Sequence, residues 1–339
     1  MKFIFTADWH LSGYLQDKLV KESNLPERLD SIKKIMYQIS DYAKNNDIKN
    51  IIIGGDTLHN KSIIYTDAQS LLLDYLRDNK DLQFYFIDGN HDLGGRGENP
   101  NSALKSLDSE SNVYRFKKTE KIGEHILLVP YSTTMISEIK NNKCKYLISH
   151  FGLNESQLNS GISLVADVGI NDLKGKYRYV FLGHYHMPQD LKSENIDLYY
   201  VGSPIQKDWG EKNERKRFLV VDTDKETVLH IPTTGYKQHI ELSITKENKD
   251  EIVKQAEAFK LNGHDVKLIK TEIFDTDDIS DNLRIIEKIE KDITNRGINS
   301  SMSMEEKILK YLQIKNISEN EIENYKKVGI EIISSITGE

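Results

Sequence analysis

The stretch that most constrains this chain is residues 50–56, which read NIIIGGD. Three consecutive isoleucines are typical of a short, buried parallel strand. The two glycines that follow allow the backbone to turn sharply as it leaves the sheet. The turn places Asp56 at the carboxyl end of the strand, where open α/β sheets bind their ligands. A carboxylate can bridge two cations held about 3.5–4 Å apart, so we predict that Asp56 is such a bridge.

Short apolar runs alternate with amphipathic stretches along the first part of the chain. Strands are predicted at residues 2–6, 50–53 and 83–87, with helices at 26–44 and 66–76 between them. This alternation predicts a layered α/β sheet. Further along, the sequence is rich in strand patterns, which we place at residues 113–116, 125–131, 145–149, 177–182, 198–201, 217–221 and 227–231.

The length of 339 residues suits a main domain with a smaller second one. We place the boundary near Gly235, which gives a main domain over residues 1–235. Strands at 239–245 and 266–273 and helices at 249–261 and 280–295 then predict a small α/β domain over residues 236–298.

The segment 303–339 is predicted to form two helices after a polar connector. Each opens with a capping box, Ser303 with Glu306 and Ser318 with Glu321. Apolar side chains recur at helical spacing along one face of each helix, at Met304, Ile308 and Leu312 and at Ile322, Tyr325, Gly329, Ile332 and Ile336. A short helical pair of this kind needs another surface, supplied either by a partner protein or by its own domain.

The composition restricts the setting in which the chain works. Its one cysteine, Cys144, excludes an internal disulfide bond and is interpreted as a small buried residue in a reducing cytosol. The first ten residues hold too few consecutive apolar side chains for a secretory signal, and no apolar run approaches the roughly 18 residues of a membrane span. We therefore expect a cytoplasmic protein without membrane contact.

Side chains that bind metals follow five of the predicted strands. The stretches are Asp8-x-His10, Gly55-Asp56, Gly89-Asn90-His91-Asp92, His150 and Gly183-His184-x-His186. Alternate residues of an extended segment face the same side, so each Asp-x-His or His-x-His pair can approach one ion. Imidazoles, carboxylates and one carboxamide suit Mn²⁺, Fe²⁺ or Zn²⁺, and the oxygen donors favour manganese. Each stretch alone is a weak signal, but the five together indicate a metal site.

These five motifs, in this order, resemble D-x-H, G-D, G-N-H-[DE], H and G-H-x-H of the calcineurin-like metallophosphoesterase superfamily. The stretches DWHL, GGDTLH, GNHD, SHFG, GHYH and YVGSP are similar to the nuclease subunit of SbcCD-type complexes, which pair with a coiled-coil ATPase in double-strand-break repair and recombination. The resemblance covers residues 1–235, with one departure at Ser12, where a glycine is common. With its length and C-terminal helices, the chain is similar to the version carried by T-even bacteriophages, which implies a host cytoplasm.

The resemblance implies a role for each site residue. It gives one metal the ligands Asp8, His10, Asp56 and His186, and it gives the second metal Asp56, Asn90, His150 and His184. It places His91 outside both ligand sets, facing the scissile phosphate, where a histidine can stabilise the transition state or protonate the leaving oxygen. Asp92 either orients His91 or caps the following turn, and His59 either influences nuclease action or is structural.

The resemblance also implies a fold and an activity. The implied fold is a layered metallophosphoesterase β-sandwich flanked by helices, with a small α/β cap domain and C-terminal helices. The implied enzyme is a DNA exonuclease and endonuclease with two divalent ions, Mn²⁺ being favoured. Its implied partners are DNA, the coiled-coil ATPase, which would bind the C-terminal helices, and a second copy of the chain. Helices at residues 66–76 and 102–107 are candidates for the dimer contact, although a core-facing stripe explains Leu71, Leu72 and Tyr75 equally well.

The basic run at residues 207–217 contains five cations and three acids. It is either a solvated loop or a contact to the DNA backbone through Lys207, Arg215 and Arg217. Trp209 within it either stacks on a base or anchors the loop. The net charge of −7 does not exclude DNA, because residues 240–339 carry 15 Lys and Arg against 21 Asp and Glu, and bound metals would make the site electropositive.

Two other classes of function are compatible with parts of this pattern. A phosphatase or phosphodiesterase for phosphoproteins, cyclic nucleotides or other small phosphoesters would have the same metal site. Protein phosphatases of the superfamily have an arginine shortly after the second motif, whereas Asp56 is followed here by TLHNK. A non-catalytic scaffold on the same fold is disfavoured, because every ligand and His91 are present.

Overall fold

The structure, a computed structural model, describes residues 1–94, 100–157, 166–276, 278–288, 302 and 304–314, together with residues 322, 325 and 328. The elements as far as residue 150 are β1 (Lys2–Thr6), α1 (Glu27–Asn45), β2 (Asn50–Gly54), α2 (Thr66–Asp78), β3 (Gln83–Ile87), β4 (Leu93–Gly94), β5 (Asn101–Ser102), β6 (Val113–Phe116), β7 (Glu120–Ile122), β8 (Ile126–Val129), α3 (Met135–Asn141) and β9 (Tyr146–His150). The later elements are α4 (Ile170–Leu173), β10 (Tyr179–Gly183), β11 (Gln189–Ser193), β12 (Ile196–Tyr200), β13 (Arg217–Asp222), β14 (Thr227–Pro232), β15 (His239–Ile244), α5 (Lys249–Leu261), β16 (Asp265–Lys270), β17 (Arg284–Glu287) and α6 (Met304–Ile314). Short 3₁₀ helices span Ala103–Ser109 and Trp209–Glu211.

Two six-stranded sheets have parallel strands at their centres. The first sheet has the order β14-β13-β1-β2-β3-β6, in which β1, β2, β3 and β6 are parallel. The second has the order β11-β12-β10-β9-β8-β7, in which β12, β10, β9 and β8 are parallel. The remaining strands pair antiparallel at the edges. The carboxyl ends of the central strands therefore share one edge within each sheet, as the sequence predicts for a ligand site.

The two sheets pack face to face, because their strands alternate between two apolar faces. Phe3 and Phe5 of β1 lie in the same buried cluster as Phe181 of β10, between the sheets. Ile4, between those two phenylalanines, lies in a second cluster with the apolar faces of α1 and α2. A third cluster packs α3 and α4 against the other side of the second sheet. The predicted α/β fold, a sandwich flanked by helices, is confirmed.

The apolar stripe of α2 faces the core of its own chain. Leu71 is 7% exposed, Leu72 is 2% exposed and Tyr75 is fully buried. Tyr75 contacts the Trp9 ring at 5.9 Å and the Phe84 ring at 5.4 Å between centroids. Of the two interpretations of these residues, the structure therefore supports a core-facing stripe. Cys144 is buried too, in the core of the second sheet.

The chain divides into two compact units, and the first extends beyond the predicted boundary at Gly235. It contains Met1–Glu241 and Phe259–Val266, and the second contains residues 242–258 and the described residues from 267 onward. Asn213 explains part of the difference. Its side chain donates to the Glu241 carbonyl at 2.9 Å and accepts from the Glu241 amide at 3.0 Å, so the start of β15 is bound to the first unit.

The prediction of a helix at residues 280–295 is wrong for the part of this range that the structure describes. Arg284–Glu287 is a strand, β17, which pairs in parallel with β16 in a three-stranded sheet with β15. Ile285 and Ile286 are β-branched neighbours, which suit a pleated surface better than a helix. Residues 289–295 lie outside the described part of the chain. So do Ser303, residues 315–321 and most of the last predicted helix.

Candidate metal centre

Five carboxyl-terminal strand ends, from both sheets, carry the predicted site residues. Asp8 and His10 follow β1, Asp56 follows β2 and Asn90 follows β3. In the second sheet, His150 is the last residue of β9, and His184 and His186 follow β10. Asp8, His10 and His186 form one group whose potential ligand atoms lie within 4.8 Å of one another, and Asp8, Asp56 and His150 form another. The structure thus brings these residues together.

Several of these residues have backbone conformations that side chains rarely adopt. The φ angles of Asp8, His10, Asp56 and His184 are 56°, 49°, 52° and 94°. Such conformations cost about 1–3 kcal/mol each and persist where surrounding contacts enforce them. Here the Asp8 amide donates to the Gly55 carbonyl at 3.0 Å, and the His10 amide donates to the Asp56 carbonyl at 2.9 Å. The first two motifs therefore hold each other in a strained arrangement that turns their side chains toward one point.

Two glycines permit the close approach of the loops. A Cβ atom on Gly89 would lie 2.2 Å from Asp56 Oδ1 and 2.3 Å from the Asp56 amide nitrogen. Gly55 has a φ of +92°, and a Cβ there would lie 2.5 Å from His150 Nδ1. A side chain at either position would push the second motif away from the third or the fourth.

The first group of potential ligands surrounds the buried His10 imidazole. Its Nε2 atom lies 3.4 Å from Asp56 Oδ2, 3.9 Å from Asp8 Oδ1 and 3.1 Å from His186 Nε2. Burial, with the nearby charge of Lys207, keeps the pKa of His10 well below its usual value. A neutral imidazole is the form that binds a metal ion.

The second group is built around His150, which is completely buried. His150 Nδ1 donates to the Gly54 carbonyl at 2.8 Å, so its Nε2 is the nitrogen left to face another partner. That Nε2 atom lies 3.2 Å from Asp56 Oδ2 and makes no hydrogen bond to any residue in the described ranges. His184 Nδ1 lies 3.2 Å from Asn90 Oδ1 beside it. A buried, unsatisfied imidazole nitrogen facing a carboxylate fits a divalent metal ion.

Asp56 is shared by the two groups. Its Oδ2 atom faces both His10 Nε2 and His150 Nε2, and its Oδ1 atom accepts a hydrogen bond from the His91 amide at 2.8 Å. Burial acts to raise the pKa of Asp56, but the charge of the adjacent His150 holds it well below its usual range. Asp56 is therefore an ionised carboxylate placed between two sets of ligands.

His91 and His59 lie together at the open side of the site. His91 Nδ1 donates to the His59 carbonyl at 2.6 Å, which leaves Nε2 free. The two rings are stacked, with centroids 5.4 Å apart, and the His91 ring is 4.8 Å from the His10 ring. His59 Nδ1 lies 3.1 Å from His10 Nδ1. His91 is half-buried rather than enclosed, so a substrate can reach it.

Asp92 is fully buried and its side chain binds backbone rather than His91. Its carboxylate accepts hydrogen bonds from the amides of Leu58 at 2.8 Å, Gly89 at 2.9 Å and Thr57 at 3.3 Å. These hydrogen bonds link the motif at Gly55-Asp56 to the motif that contains Asp92. Burial and the carboxylate of Asp56 raise the pKa of Asp92 to about 8.

The residues of the basic run lie in different surroundings. Lys207 reaches the site, with Nζ 3.1 Å from His186 Nε2, and burial lowers its pKa to about 8. The Trp209 ring packs against the His239 ring, with centroids 4.9 Å apart. Arg215 is exposed. Arg217 is bound within the fold, since it donates to Asp190 at 2.6 Å and to the Tyr200 carbonyl at 3.0 Å.

Glu211 is a site residue that the sequence did not reveal. It is 3% exposed, and its Oε1 atom accepts a hydrogen bond from His186 Nδ1 at 2.9 Å. Its Oε2 atom lies 2.7 Å from the buried Lys216 ammonium and accepts from Ser203 Oγ at 3.0 Å. A carboxylate on Nδ1 fixes the tautomer in which His186 Nε2 faces the first group. The sequence offered only an acid within a basic run.

A strained array of imidazoles and carboxylates on a four-layer α/β sandwich defines a metal-dependent phosphoesterase. The profile of the calcineurin-like phosphoesterase family matches residues 1–188, and the chain belongs to that family. The chain is 26% identical to the SbcD component of nuclease SbcCD from Staphylococcus epidermidis over 75% of each chain, and 25% identical to exonuclease subunit 1 of Enterobacteria phage T4 over 70% of each. Among solved structures it matches a dimetal phosphatase from Danio rerio with a TM-score of 0.43 and 10% identity, over 69% of this chain and 99% of that one.

These relatives bear out the resemblance to SbcCD-type nuclease subunits and to their T-even phage counterpart. The chain is a metal-dependent phosphodiesterase of the nuclease type. No helix in the described ranges has the length and apolar character of a membrane span.

Proposed function

We propose that this chain is a two-metal nuclease that hydrolyses phosphodiester bonds in DNA, with Mn²⁺ as its preferred ion. The observation that carries the proposal is the position of Asp56 Oδ2, 3.4 Å from His10 Nε2 and 3.2 Å from His150 Nε2. One carboxylate oxygen between two ligand groups is the arrangement that a bridged pair of metals requires. The oxygen-rich donor set supports manganese, and the names of the bacterial and phage relatives support a nuclease.

Each group takes one ion in this proposal. Asp8, His10, Asp56 and His186 hold the first, and Asp56, Asn90, His150 and His184 hold the second. When bound, such ions polarise a phosphate and lower the pKa of the attacking water. The backbone amide of His91 keeps Asp56 Oδ1 occupied, so that Oδ2 is left for the ions.

His91 acts on the phosphate rather than on an ion. Its Nδ1 proton is committed to the His59 carbonyl, so Nε2 is the atom that can hold a proton for the leaving oxygen. The His59 backbone thereby orients His91, while the ring of His59 supports it by stacking. Asp92 has no part in orienting that ring, because its carboxylate binds the amides of residues 57, 58 and 89.

His91→Ser and Asp56→Asn test these roles. We expect His91→Ser to keep its metals and lose nearly all cleavage of linear duplex DNA, because the backbone contact to Asp56 survives. Asp56→Asn should lose metal occupancy, since the charge of the bridge is gone. Calorimetric titration with Mn²⁺ and a nuclease assay measure the two properties. Loss of metals by His91→Ser to the same extent as by Asp56→Asn would refute the assignment.

A substrate comparison tests the proposed function itself. Wild-type protein with Mn²⁺ is given linear duplex DNA and p-nitrophenyl phosphate in parallel. Cleavage of the DNA supports the nuclease. Hydrolysis of the small ester alone would indicate a small-molecule phosphoesterase, and inactivity on both with metals bound would indicate a scaffold.

We also propose a coiled-coil ATPase of the SbcC type as the partner. Support comes from the name of the staphylococcal relative, which is one part of a two-component nuclease, and from the apolar stripes predicted in the segment 303–339. The described part of that segment consists of α6, in which Tyr311 is 49% exposed, and of residues 322, 325 and 328. Removing residues 303–339 should leave Mn²⁺-dependent cleavage intact and abolish co-elution with the ATPase in size-exclusion chromatography. Complex formation by the shortened chain would refute this binding mode.

The domain at residues 236–298 is proposed to guide duplex DNA toward the metals, by resemblance to the family cap. The homodimer, the cytoplasmic location and DNA contacts by Lys207, Trp209, Arg215 and Arg217 stay predictions. The predicted DNA contact of Arg217 has the least support, because Asp190 already pairs with its guanidinium.

A further inference from the structure

A cavity of about 510 Å³ opens beside Asn90, which is also a member of the second proposed ligand group. Asn90 and Asp88 line the cavity together with residues of β5 and β6 and residues that follow β8. A volume of this size accommodates one nucleotide. Any strand whose phosphate lies at the metals would pass this cavity on one side.

The base of the cavity holds a rigid guanidinium that two carboxylates neutralise. Arg115 is 5% exposed in its side chain and donates to both carboxylate oxygens of Asp108, at 2.8 and 3.1 Å. It also lies 3.4 Å from Asp88, which accepts a hydrogen bond from Ser102 Oγ at 2.6 Å. This network fixes the guanidinium at the base of the cavity before any ligand binds.

Two lysines at the rim have no acidic partner among the residues that the structure describes. Lys61 and Lys105 are both exposed and line the cavity, whereas Lys117, the remaining lysine of the lining, is paired with Asp108 at 2.7 Å. Asp88 is the acidic member of the described lining and is already shared with Arg115. The cavity therefore carries a surplus of positive charge, which favours an anionic ligand.

An aromatic ring stands at the same rim. Tyr131 is 38% exposed, and its amide donates to the Asp88 carbonyl at 2.9 Å, which fixes its backbone against the wall of the cavity. Exposed aromatic rings beside a cationic groove are the usual platform for unpaired bases. Cations and a ring around one nucleotide-sized cavity match a phosphate and a base on the same ligand.

We propose that this cavity binds one unpaired nucleotide of the DNA strand next to the scissile phosphate, with its phosphate at Lys61 and Lys105 and its base at Tyr131. The proposal rests on the proposed nuclease function and assigns to it a subsite for a single-stranded end. Duplex DNA would then need to fray by about one nucleotide to be cut.

The test compares two double variants of equal charge change. Lys61→Ala/Lys105→Ala removes the two free cations, and Lys80→Ala/Lys174→Ala removes two exposed lysines that do not line the cavity. With Mn²⁺ bound, the first variant should raise KM for single-stranded DNA more than KM for bis(p-nitrophenyl) phosphate. It should also reduce the slope of log affinity against log salt by about one per lysine. The second variant should behave as wild type.

Tyr131→Leu separates the base from the phosphate. It should raise KM for single-stranded DNA while leaving the salt slope at the wild-type value, because it removes stacking and no charge. Identical KM values and salt slopes for the two lysine pairs would overturn the subsite, as would a wild-type KM for Tyr131→Leu. If the wild-type protein hydrolyses the small diester and no DNA, the nuclease function is wrong and the subsite falls with it.

Discussion

Replacing Glu211 by glutamine tests whether a buried carboxylate tunes the metal centre. Glu211 is the only described acid that contacts His186 Nδ1. Glutamine has nearly the same shape and can still accept the hydrogen bond, but it removes the negative charge. The substitution therefore separates the charge of the residue from its volume.

The magnitude follows from the contacts. Loss of an outer carboxylate from a metal-binding histidine typically weakens metal affinity 10–100-fold, and because the amide still holds the ring, we expect a loss near tenfold. Stability should fall as well, since the Lys216 ammonium is completely buried and lies 2.7 Å from Glu211. Breaking such a pair costs about 3–5 kcal/mol. In the variant, Lys216 retains two other partners, Glu214 at 2.5 Å and the His186 carbonyl at 2.9 Å. We therefore expect the free energy of unfolding to fall by about 2 kcal/mol.

The matched control is Glu214→Gln. Glu214 also contacts Lys216 but does not touch His186, so it should lower stability without changing metal affinity. Calorimetric titration with Mn²⁺ and urea unfolding of the metal-free proteins measure the two quantities. The reasoning is refuted if Glu211→Gln binds Mn²⁺ within twofold of wild type, or if Glu214→Gln loses as much affinity.

Three further predictions concern the same region. Gly89→Ala should lose metal affinity in a Mn²⁺ titration, because its Cβ would lie 2.2 Å from Asp56 Oδ1. Asp108→Asn should cost about 1 kcal/mol at pH 7, after solvent screening, because hydrogen bonds from Arg115 lower the pKa of Asp108 to about 2. That contribution is present above pH 4 and is lost as the pH falls from about 4 to 2. The free energies of unfolding of the wild-type and variant proteins, measured with urea, should therefore become equal near pH 2. Burial acts to lower the pKa of His150, but the Asp56 carboxylate outweighs burial and raises this pKa to about 9. The His150 imidazole is therefore protonated at pH 7.5, and Mn²⁺ binding there should release about one proton. Titration in buffers of different ionisation enthalpy measures that proton, and His150→Gln should not release it.

The central strands were predictable because burial on both faces leaves a continuous apolar run in the sequence. Residues 50–53, predicted from three isoleucines, fall within β2. The edge strands β7 and β11 were not predicted, since their side chains are partly exposed and polar. The helix expected at 280–295 failed where pairing with β16 made Arg284–Glu287 a strand. The hydrophobic periodicity of a segment does not show whether a neighbouring strand is available to pair with it, so it could not predict that strand pairing would prevail over helix propensity here.

The metal-binding motifs were predictable from their order and from their position after apolar runs. The surroundings of each motif were not. Glu211 and Lys216 lie 25 and 30 residues from His186, inside a run that reads as a basic surface loop. Their role depends on Trp209–Glu211 forming a 3₁₀ helix whose last residue is buried against the site. Only the folded structure shows that Lys216 forms an ion pair with a buried carboxylate and is not available to contact DNA.

The site also depends on the packing between the sheets, which no single motif encodes. Each proposed ligand group takes residues from both sheets: His186 joins Asp8, His10 and Asp56 in the first, and His150 and His184 join Asp56 and Asn90 in the second. The distance from Asp56 Oδ2 to His150 Nε2 is therefore a distance between sheets, and so are the hydrogen bonds from the His184 amide to Asp8.

That distance is fixed by the side chains that fill the space between the sheets. Phe181 of the second sheet meets Phe3 and Phe5 of the first, with ring centroids 6.2 and 5.7 Å apart. Interiors packed at crystal-like density transmit a change of volume to their surroundings. Phe5 also lies against Gly54, where an added Cβ would be 2.6 Å from its ring. Gly54 in turn provides the carbonyl that orients His150. The aromatic core thus sets the spacing of the two ligand groups, and the metal centre is a property of the whole sandwich.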